Sequence, residues 1–467
     1  MKVRIGAFAA VTIGSVLAGC ASLPADRGSG DVEKLVTSRS AVAVQWNPVG
    51  NARSSELPAT PLDADAAVRV AMANSPRIRV LYAELGIAQA DVYDATRLSN
   101  PSLGFERLSV SSGGTQKTWS LSQGFVELLF ARYRGRMGRL QLLEAQQRVA
   151  HEVLVLEAEV RSAWLNHAAA RLTARLWSGS ARAAQVSAEL AARFHEAGNI
   201  TALQLAREQA EASSAVIAVR RQEGAVAHAR ARLLVLMGVQ DQPDLALQDR
   251  LPLPVLLAAD LESLQRTALA QRLDLQALRT GVTWSMKQQG QVQRWRWVNG
   301  VTIAAVRERD PDATTLNGGS VSLELPLFNT GNGRRLRASA GREIAEATLA
   351  GAEIDVTADV AVRFAVLQAE AQNVAEYHEH LLPLRQRIVE LTQQRQNYML
   401  VGAFELIEAR RQDIEAWQAY IESLHDYALA RTDLARAVGG RLPGAETETE
   451  TVSIPELPLA EQTGEAR

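Results

Sequence analysis

One cysteine in 467 residues is too few for a disulfide framework and for any cysteine-based zinc site, which needs two or more thiolates at fixed spacing. Charge of one sign is also missing. Fifty Lys and Arg stand against 52 Asp and Glu, and no basic stretch emerges, so a nucleic-acid partner held by phosphate charge is excluded. After the first twenty residues no apolar run approaches the roughly 20 residues of a membrane-spanning helix, so any bilayer crossing must use strands closed into a barrel. Aromatics make up 5% of the chain, and the eight tryptophans form no stacking platform. Trp295 and Trp297 precede the third predicted strand, where an interfacial aromatic is expected at a membrane boundary.

What is present begins at the N-terminus. Lys2 and Arg4 are followed by an apolar or small stretch to residue 18, and the segment closes as Leu17-Ala18-Gly19-Cys20. This is the layout of a secretory signal, residues 1–19. Its ending resembles the bacterial lipobox, which implies that Cys20 is acylated and becomes the first mature residue. Ser22 lacks the acid that favours inner-membrane retention, so the outer membrane is the implied destination. Removal of Lys2 and Arg4 would leave a formal balance of −4.

The two halves of the chain resemble each other. AVRVAMANSPRIRVL at 67–81 lies over LQRTALAQRLDLQAL at 264–278, and GNITALQLAREQAEA at 198–212 lies over GAFELIEARRQDIEA at 402–416. A repeat this long implies a duplicated domain. The first unit takes residues 62–250 and the second 260–440, after an acylated arm at 20–61 and before a disordered acidic tail at 441–467. Each unit reads as a helix, two strands, a very long helix, a glycine turn and a return helix. Ala, Leu, Glu, Arg and Gln dominate the helices, with Leu154, Ala158, Arg161 and Leu165 at helical spacing. In the first unit the helices at 62–98, 131–197 and 200–238 would measure roughly 55, 100 and 58 Å. Gly179 and Pro383 are 204 residues apart, the same offset as the two turns, and predict a loosening in each half.

Between the helices the period changes to two. Strands are predicted at 102–110, 116–124, 300–308 and 319–327. In the last, Val321, Leu323, Leu325 and Leu327 share one face and Ser320, Ser322 and Glu324 the other. Nine residues suffice for a tilted strand to cross a bilayer, and this alternation is that of a membrane barrel. A small soluble hairpin packed on helices would fit the same pattern. Four strands cannot close a membrane barrel, so spanning strands require an oligomer.

These parts together resemble the TolC-like outer-membrane factor family. The similarity rests on Asn100-Pro101-Ser102-Leu103 before the first strand, Arg272-Leu273-Asp274-Leu275 opening the second half, and Leu325-Pro326-Leu327-Phe328-Asn329 with Gly331 and Gly333 after the fourth strand. Tyr398 through Gly402 to Ile407, and Asp426-Tyr427-Ala428-Leu429-Ala430 before Gly439, complete it. The resemblance implies a mainly α chain with a small β part, assembled as a homotrimer whose 12-stranded transmembrane barrel continues into a 12-helix periplasmic α-barrel. It implies an outer-membrane efflux duct that catalyses nothing and works with a periplasmic adaptor and a proton-driven inner-membrane pump. Metal cations or small toxic compounds are the implied cargo.

On that reading Ser320, Ser322 and Glu324 line the lumen, while Val321, Leu323 and Leu325 face lipid. Gly198, Asn199, Gly402, Phe404, Glu408 and Arg411 mark the periplasmic tips. Glu408 falls on an acidic position of the family's tip, although its counterpart in the first half is Gln204, and a basic gate position is Phe404. A solvated helix carboxylate is the alternative for Glu408. His378-Glu379-His380 places two imidazoles at i and i+2 of a helix, a poor ligand spacing, and His151-Glu152 lacks the second histidine of HExxH. No phosphate loop or nucleophile elbow occurs, so neither metal nor cofactor is expected beyond the lipid on Cys20. The competing reading is a lipid-anchored periplasmic coiled-coil scaffold or adaptor without a pore.

Overall fold

A computed structural model describes residues 26, 28–40, 42, 61–109, 111, 113–242, 244–255, 257, 259–295, 297, 300–442 and 451–452. Cys20, the signal segment at 1–19, most of the arm and most of the acidic tail lie outside the described residues. In chain order the elements are α1 (Ser29–Thr37), α2 (Ala64–Asn74), α3 (Pro76–Thr96), β1 (Ser102–Ser109), β2 (Thr115–Gly124), α4 (Phe125–Glu196), α5 (Ala202–Met237) and β3 (Leu251–Pro252). They continue with α6 (Leu261–Gln271), α7 (Leu273–Trp295), β4 (Val301–Arg309), β5 (Thr315–Leu323), α8 (Asn332–Glu376), a π-helical turn (Tyr377–Leu381), α9 (Leu382–Asn397), α10 (Ala403–Val438) and β6 (Thr451–Val452). Two compact units result. One gathers Met1–Val32, Leu81–Val149 and Ala277–Leu349, and the other Glu33–Val80, Ala150–Gln276 and Ala350–Arg467.

The first unit holds an antiparallel sheet of order β1-β2-β4-β5. Its register places Leu103 opposite Leu121, Leu121 opposite Ala305 and Ala305 opposite Gly319, so odd-numbered residues of all four strands share one face and even-numbered residues the other. Val321 and Leu323 lie on the odd face, 72% and 58% exposed, and Ser320 and Ser322 on the even face. The last strand begins four residues earlier than its sequence predicts. Asn317-Gly318-Gly319, which reads as a turn, pairs with Arg307-Val306-Ala305, and the true turn is at 310–314, where Ala313 adopts φ 70° and Asp310 N donates to Thr314 O at 2.9 Å. Glu324 and Leu325 therefore fall beyond the strand. Glu324 N still donates to Gly300 O at 3.0 Å, but no further ladder bond follows among the described residues, and Pro326 has no N–H to continue one.

The second unit is helical and built around seams. On α4 the residues Val153, Leu156, Val160, Ala163 and His167 are buried at spacings of three and four, and on α10 Ala409, Asp413, Ala416, Tyr420, Ser423 and Tyr427 repeat the pattern. The seam on α4 runs one or two residues before the predicted row, of which only Leu165 is buried.

The single helix expected at 62–98 is two, α2 and α3, separated at Ser75. Its φ −61° and ψ 128° are extended, as Pro76 requires of the residue before it. The corresponding break between α6 and α7 falls on Arg272, φ −61° and ψ 125°, without a proline. Both α2 and α6 open on an aspartate that caps the third amide along, Asp63 to Ala66 N at 2.7 Å and Asp260 to Ser263 N at 3.2 Å. α5 and α10 each have 36 residues and end on a left-handed glycine, Gly238 and Gly439. A Cβ on Gly238 would stand 2.6 Å from the carbonyl oxygen of Asn74, and one on Gly439 would stand 3.2 Å from Arg272 N, so each helix end is pressed against a helix break where only glycine fits without displacement.

Arg272 also holds the break. Its guanidinium forks onto Asp274, with Nη2 to Oδ2 at 2.7 Å and Nε to Oδ1 at 3.1 Å, and Nη1 donates to Ala437 O at 3.3 Å, near the C-terminus of α10. Tyr427, in the Asp426-Tyr427-Ala428 segment, accepts from Val255 N at 3.0 Å and donates to Val255 O at 3.2 Å. Within the segment expected as a meandering arm, α1 is helical, and Arg39 beyond it donates Nε to Gln271 O at 2.9 Å. In the tail expected to be disordered, Thr451–Val452 pairs with Leu251–Pro252.

Candidate functional site

Two helix reversals contain the predicted tip residues. In the first, α4 ends, Gly198 takes φ 77°, Asn199 N donates to Phe194 O at 2.8 Å, and Thr201 caps α5 through Gln204 N at 3.2 Å. In the second, the left-handed residue is Met399, φ 58° and 93% exposed, with Leu400 N donating to Arg395 O at 2.9 Å. Gly402 instead caps α10 with extended φ −81° and ψ 165°, and supplies no side-chain bond. It does not perform the reversal that Gly198 does. Gly402 corresponds in geometry to Thr201 and Met399 to Gly198, a displacement of three residues from the sequence alignment. Glu408 then matches Arg207 rather than Gln204, and the pairing of Gly179 with Pro383 dissolves. Gly179 lies in unbroken α-helix, whereas the π turn Tyr377–Leu381 ends two residues before Pro383. Pro383 has no N–H for the carbonyl of Glu379, and the wider turn accommodates that loss.

Phe404 lies edge-on to Phe194, centroids 6.0 Å apart, which brings the two tips together through an apolar contact. Glu408 is closely partnered. Arg411 donates Nη2 to its Oε1 at 2.8 Å and Nε to its Oε2 at 3.0 Å, Gln412 donates to Oε1 at 2.8 Å, and a further Arg411 nitrogen reaches Glu415 at 3.0 Å. The bonds from Arg411, then that from Gln412, hold the Glu408 carboxyl below its usual range. Glu408 is thus ionised at neutral pH and its charge is locally matched.

Sequence reasoning missed a second polar group on the same helix. Asp413 occupies a seam position, 5% exposed, with Oδ1 lacking any hydrogen-bond partner. Burial pushes its carboxyl up, against the opposing pull of Arg410 and Arg385. On α4, His167 is likewise at a seam position, and burial together with Arg230 and Arg171 lowers its imidazole to about 4. A heptad count along either helix reveals both, since each puts a polar residue where the rest of the row is apolar or small.

The histidine pair is engaged elsewhere. His378 stacks on Tyr420 with centroids 5.9 Å apart, and His380 Nδ1 is 3.3 Å from Glu376 Oε2. Among the described residues no group of three or more His, Cys, Asp or Glu is placed to hold a metal ion. The second unit also contains a cavity of about 890 Å³ between α4, the end of α10 and the start of α2. Arg161 on its wall is neutralised by Asp65 at 2.6 Å and Glu157 at 3.1 Å.

The two faces of the sheet differ in side-chain type. The odd face carries Leu103, Phe105, Trp119, Leu121, Ile303, Val321 and Leu323, and the even face carries Ser102, Thr118, Ser120, Ser122, Thr302, Ser320 and Ser322, with Val306, Leu108 and Leu316 toward its hairpin end. Phe105 and Trp119 are directly opposite, rings 4.4 Å apart. β1 and β5 stand at the ends of the strand order, each with one edge free of a partner among the described residues.

No protein-family profile matches the chain, and no curated protein sequence does. Solved structures do. A membrane protein from Pseudomonas aeruginosa shares 16% identity at a TM-score of 0.67, covering 86% of this chain and 98% of its own. The outer membrane protein VceC from Vibrio cholerae has 15% identity and a TM-score of 0.67, covering 81% and 96%. The CmeC outer membrane channel of Campylobacter jejuni has 15% identity and a TM-score of 0.66, covering 82% and 87%. The chain has the fold of outer-membrane channels.

Proposed function

We propose that this chain is one subunit of an outer-membrane channel, a passive exit duct in which the sheet crosses the lipid and the helices continue the path into the periplasm. The observation that carries this reading is the sheet's two-sidedness. Apolar side chains stand exposed along one face from its helix end to the aromatic pair, and hydroxyl-bearing ones predominate on the other, where Leu108 and Leu316 are exposed only toward the hairpin tips, on strands of 8 to 10 residues. Buried in water such a face would be a liability, whereas in lipid it is stabilising, provided every backbone group is paired. The free edges of β1 and β5 supply the means: β5 of one copy pairs with β1 of the next. Three copies close a 12-stranded barrel, with Ser320 and Ser322 toward the lumen and Val321 and Leu323 toward lipid.

The paired breaks at Ser75 and Arg272, the aspartate caps before them and the two 36-residue helices support a duplicated unit. At the tips, the Phe194 and Phe404 contact and the neutralised Glu408 support a constriction with an apolar component in place of an open acidic ring. Acylation of Cys20, a periplasmic adaptor, a proton-driven inner-membrane pump and a cargo of metal cations or small toxic compounds complete the reading, by the resemblance noted above.

Conductance of the purified protein in planar bilayers tests the duct, together with imaging for threefold symmetry. A pore-forming trimer is the expected result. A monomer that leaves the membrane once its acyl group is removed, and that never conducts, would establish the scaffold reading instead.

A further inference from the structure

The strands carry a charge separation that channel formation alone does not require. Every Lys and Arg of the four strands, Arg107, Lys117, Arg307 and Arg309, lies on the odd face, and both acids, Glu106 and Glu308, lie on the even face. The cations are also gathered at one end. Arg107 is directly opposite Lys117, Lys117 is directly opposite Arg309, and Arg307 sits one step nearer the helices, opposite Trp119. Like charges in directly opposed positions repel and weaken a sheet. All four side chains are exposed and none forms an ion pair among the described residues. Of the adjacent acids, Glu308 accepts from Gln116 across the even face, and in the hairpin loop Asp312 accepts from Thr314 N at 2.9 Å.

The residues below the cations indicate what neutralises them. From the helix end of the odd face toward the hairpin tips, the rows are aliphatic (Leu323 with Val301, Val321 with Ile303, Leu103 with Leu121), then aromatic (Phe105 with Trp119), then cationic. From Val301 to Arg309 the strand advances about 27 Å. The outer rows of that order follow the polarity of a bilayer read from its core toward one surface: hydrocarbon, interface, phosphate.

We infer that Arg107, Lys117, Arg307 and Arg309 form a binding surface for the phosphate groups of anionic lipid in the leaflet at the hairpin tips. The phosphates separate the opposed cations and fix the depth of the sheet, with the aromatic pair seated at the interface. This rests on the odd face being the lipid-facing one, as proposed above.

Native mass spectrometry of the detergent-extracted oligomer, titrated with lipid A, phosphatidylglycerol or phosphatidylcholine, tests it. Lipid A and phosphatidylglycerol are expected to be retained over phosphatidylcholine, with retention falling as salt rises. Each cation replaced by Gln should lower retention about fivefold, and the combined Arg107→Lys, Arg307→Lys and Arg309→Lys variant should keep it. Equal retention of the three lipids by the unaltered protein would overturn the inference, as would full displacement by inorganic phosphate at matched concentration, which would assign the surface to a free ion. The lipid comparison and the salt series use the unaltered chain, so they decide the matter even if a substituted chain fails to assemble. Conductance measured in parallel separates the two proposals. A conducting oligomer without lipid preference removes only the lipid surface, whereas a protein that neither inserts nor conducts removes the duct and the surface with it.

Discussion

At the residue scale, the buried polar groups and one strained backbone position set the most direct expectations. Met399 holds a left-handed conformation that costs a residue with a Cβ on the order of 1 kcal/mol, and its side chain is exposed, so little packing offsets the cost. Met399→Gly is expected to raise stability by about 1 kcal/mol, read as an increase in the thermal midpoint of the detergent-solubilised protein; a decrease would show that the methionine has a contact of its own. His167 is the second case. Its folded value of about 4 is below the ordinary value of 6.5, so the unfolded chain binds a proton that the folded chain refuses between those limits. Stability is then full above pH 6.5 and is lost as pH falls toward 4, by on the order of 3 kcal/mol from this group. His167→Gln should flatten that part of a stability profile measured from pH 7 to 4, and an unchanged slope would place the sensitivity elsewhere. Neither group was evident from composition. The histidine is legible once the seam at Val153, Leu156, Val160 and Ala163 is followed one step further, but the left-handed turn at Met399 is not, because methionine gives no turn signal.

At the element scale, the helix breaks are the informative features. Pro76 announces the first, since it forces the preceding residue out of the helical region. The second has no such mark, and Arg272 maintains it through the fork onto Asp274 and the bond to Ala437 O. Arg272→Ala is expected to destabilise the protein by about 2 kcal/mol, because Asp274 loses its partner while half-buried, and Arg272→Lys should recover only part of that, lacking the planar fork. Chemical denaturation of both variants measures the difference, and equal values for Ala and Lys would count against a role for the fork. At the same scale, the sequence similarity of the two halves runs three residues out of register with their geometry at the tips. A shift of three in a helix of 3.6 residues per turn moves each side chain by only about 60° around the axis, so apolar faces still overlap and glycine falls on glycine. Hydrogen bonding is less forgiving: the caps at Thr201 and Gly402, and the left-handed residues Gly198 and Met399, fix the spacing at 201.

At the scale of the whole molecule, the proposed duct depends on which face of the sheet meets lipid. A lysine at Val321, on the odd face, is expected to cost about 2–4 kcal/mol in a bilayer and to reduce recovery of membrane-embedded oligomer, whereas Ser320→Lys, on the even face, should assemble and alter ion selectivity. Cell fractionation and conductance of the two variants decide it; equal assembly of both would place the odd face away from lipid. The sequence by itself determined the predominance of helix and the existence of four amphipathic strands, because periodicity and strand length are local properties of the chain. Tertiary structure decided the rest. Whether Asn317-Gly318-Gly319 turns or pairs depends on β4 lying beside it, and whether Arg272 ends a helix depends on the carbonyl of Ala437. The gathering of four cations on one face depends on a register that joins residues nearly 200 positions apart. These are contacts between distant segments, whose energies no local pattern encodes.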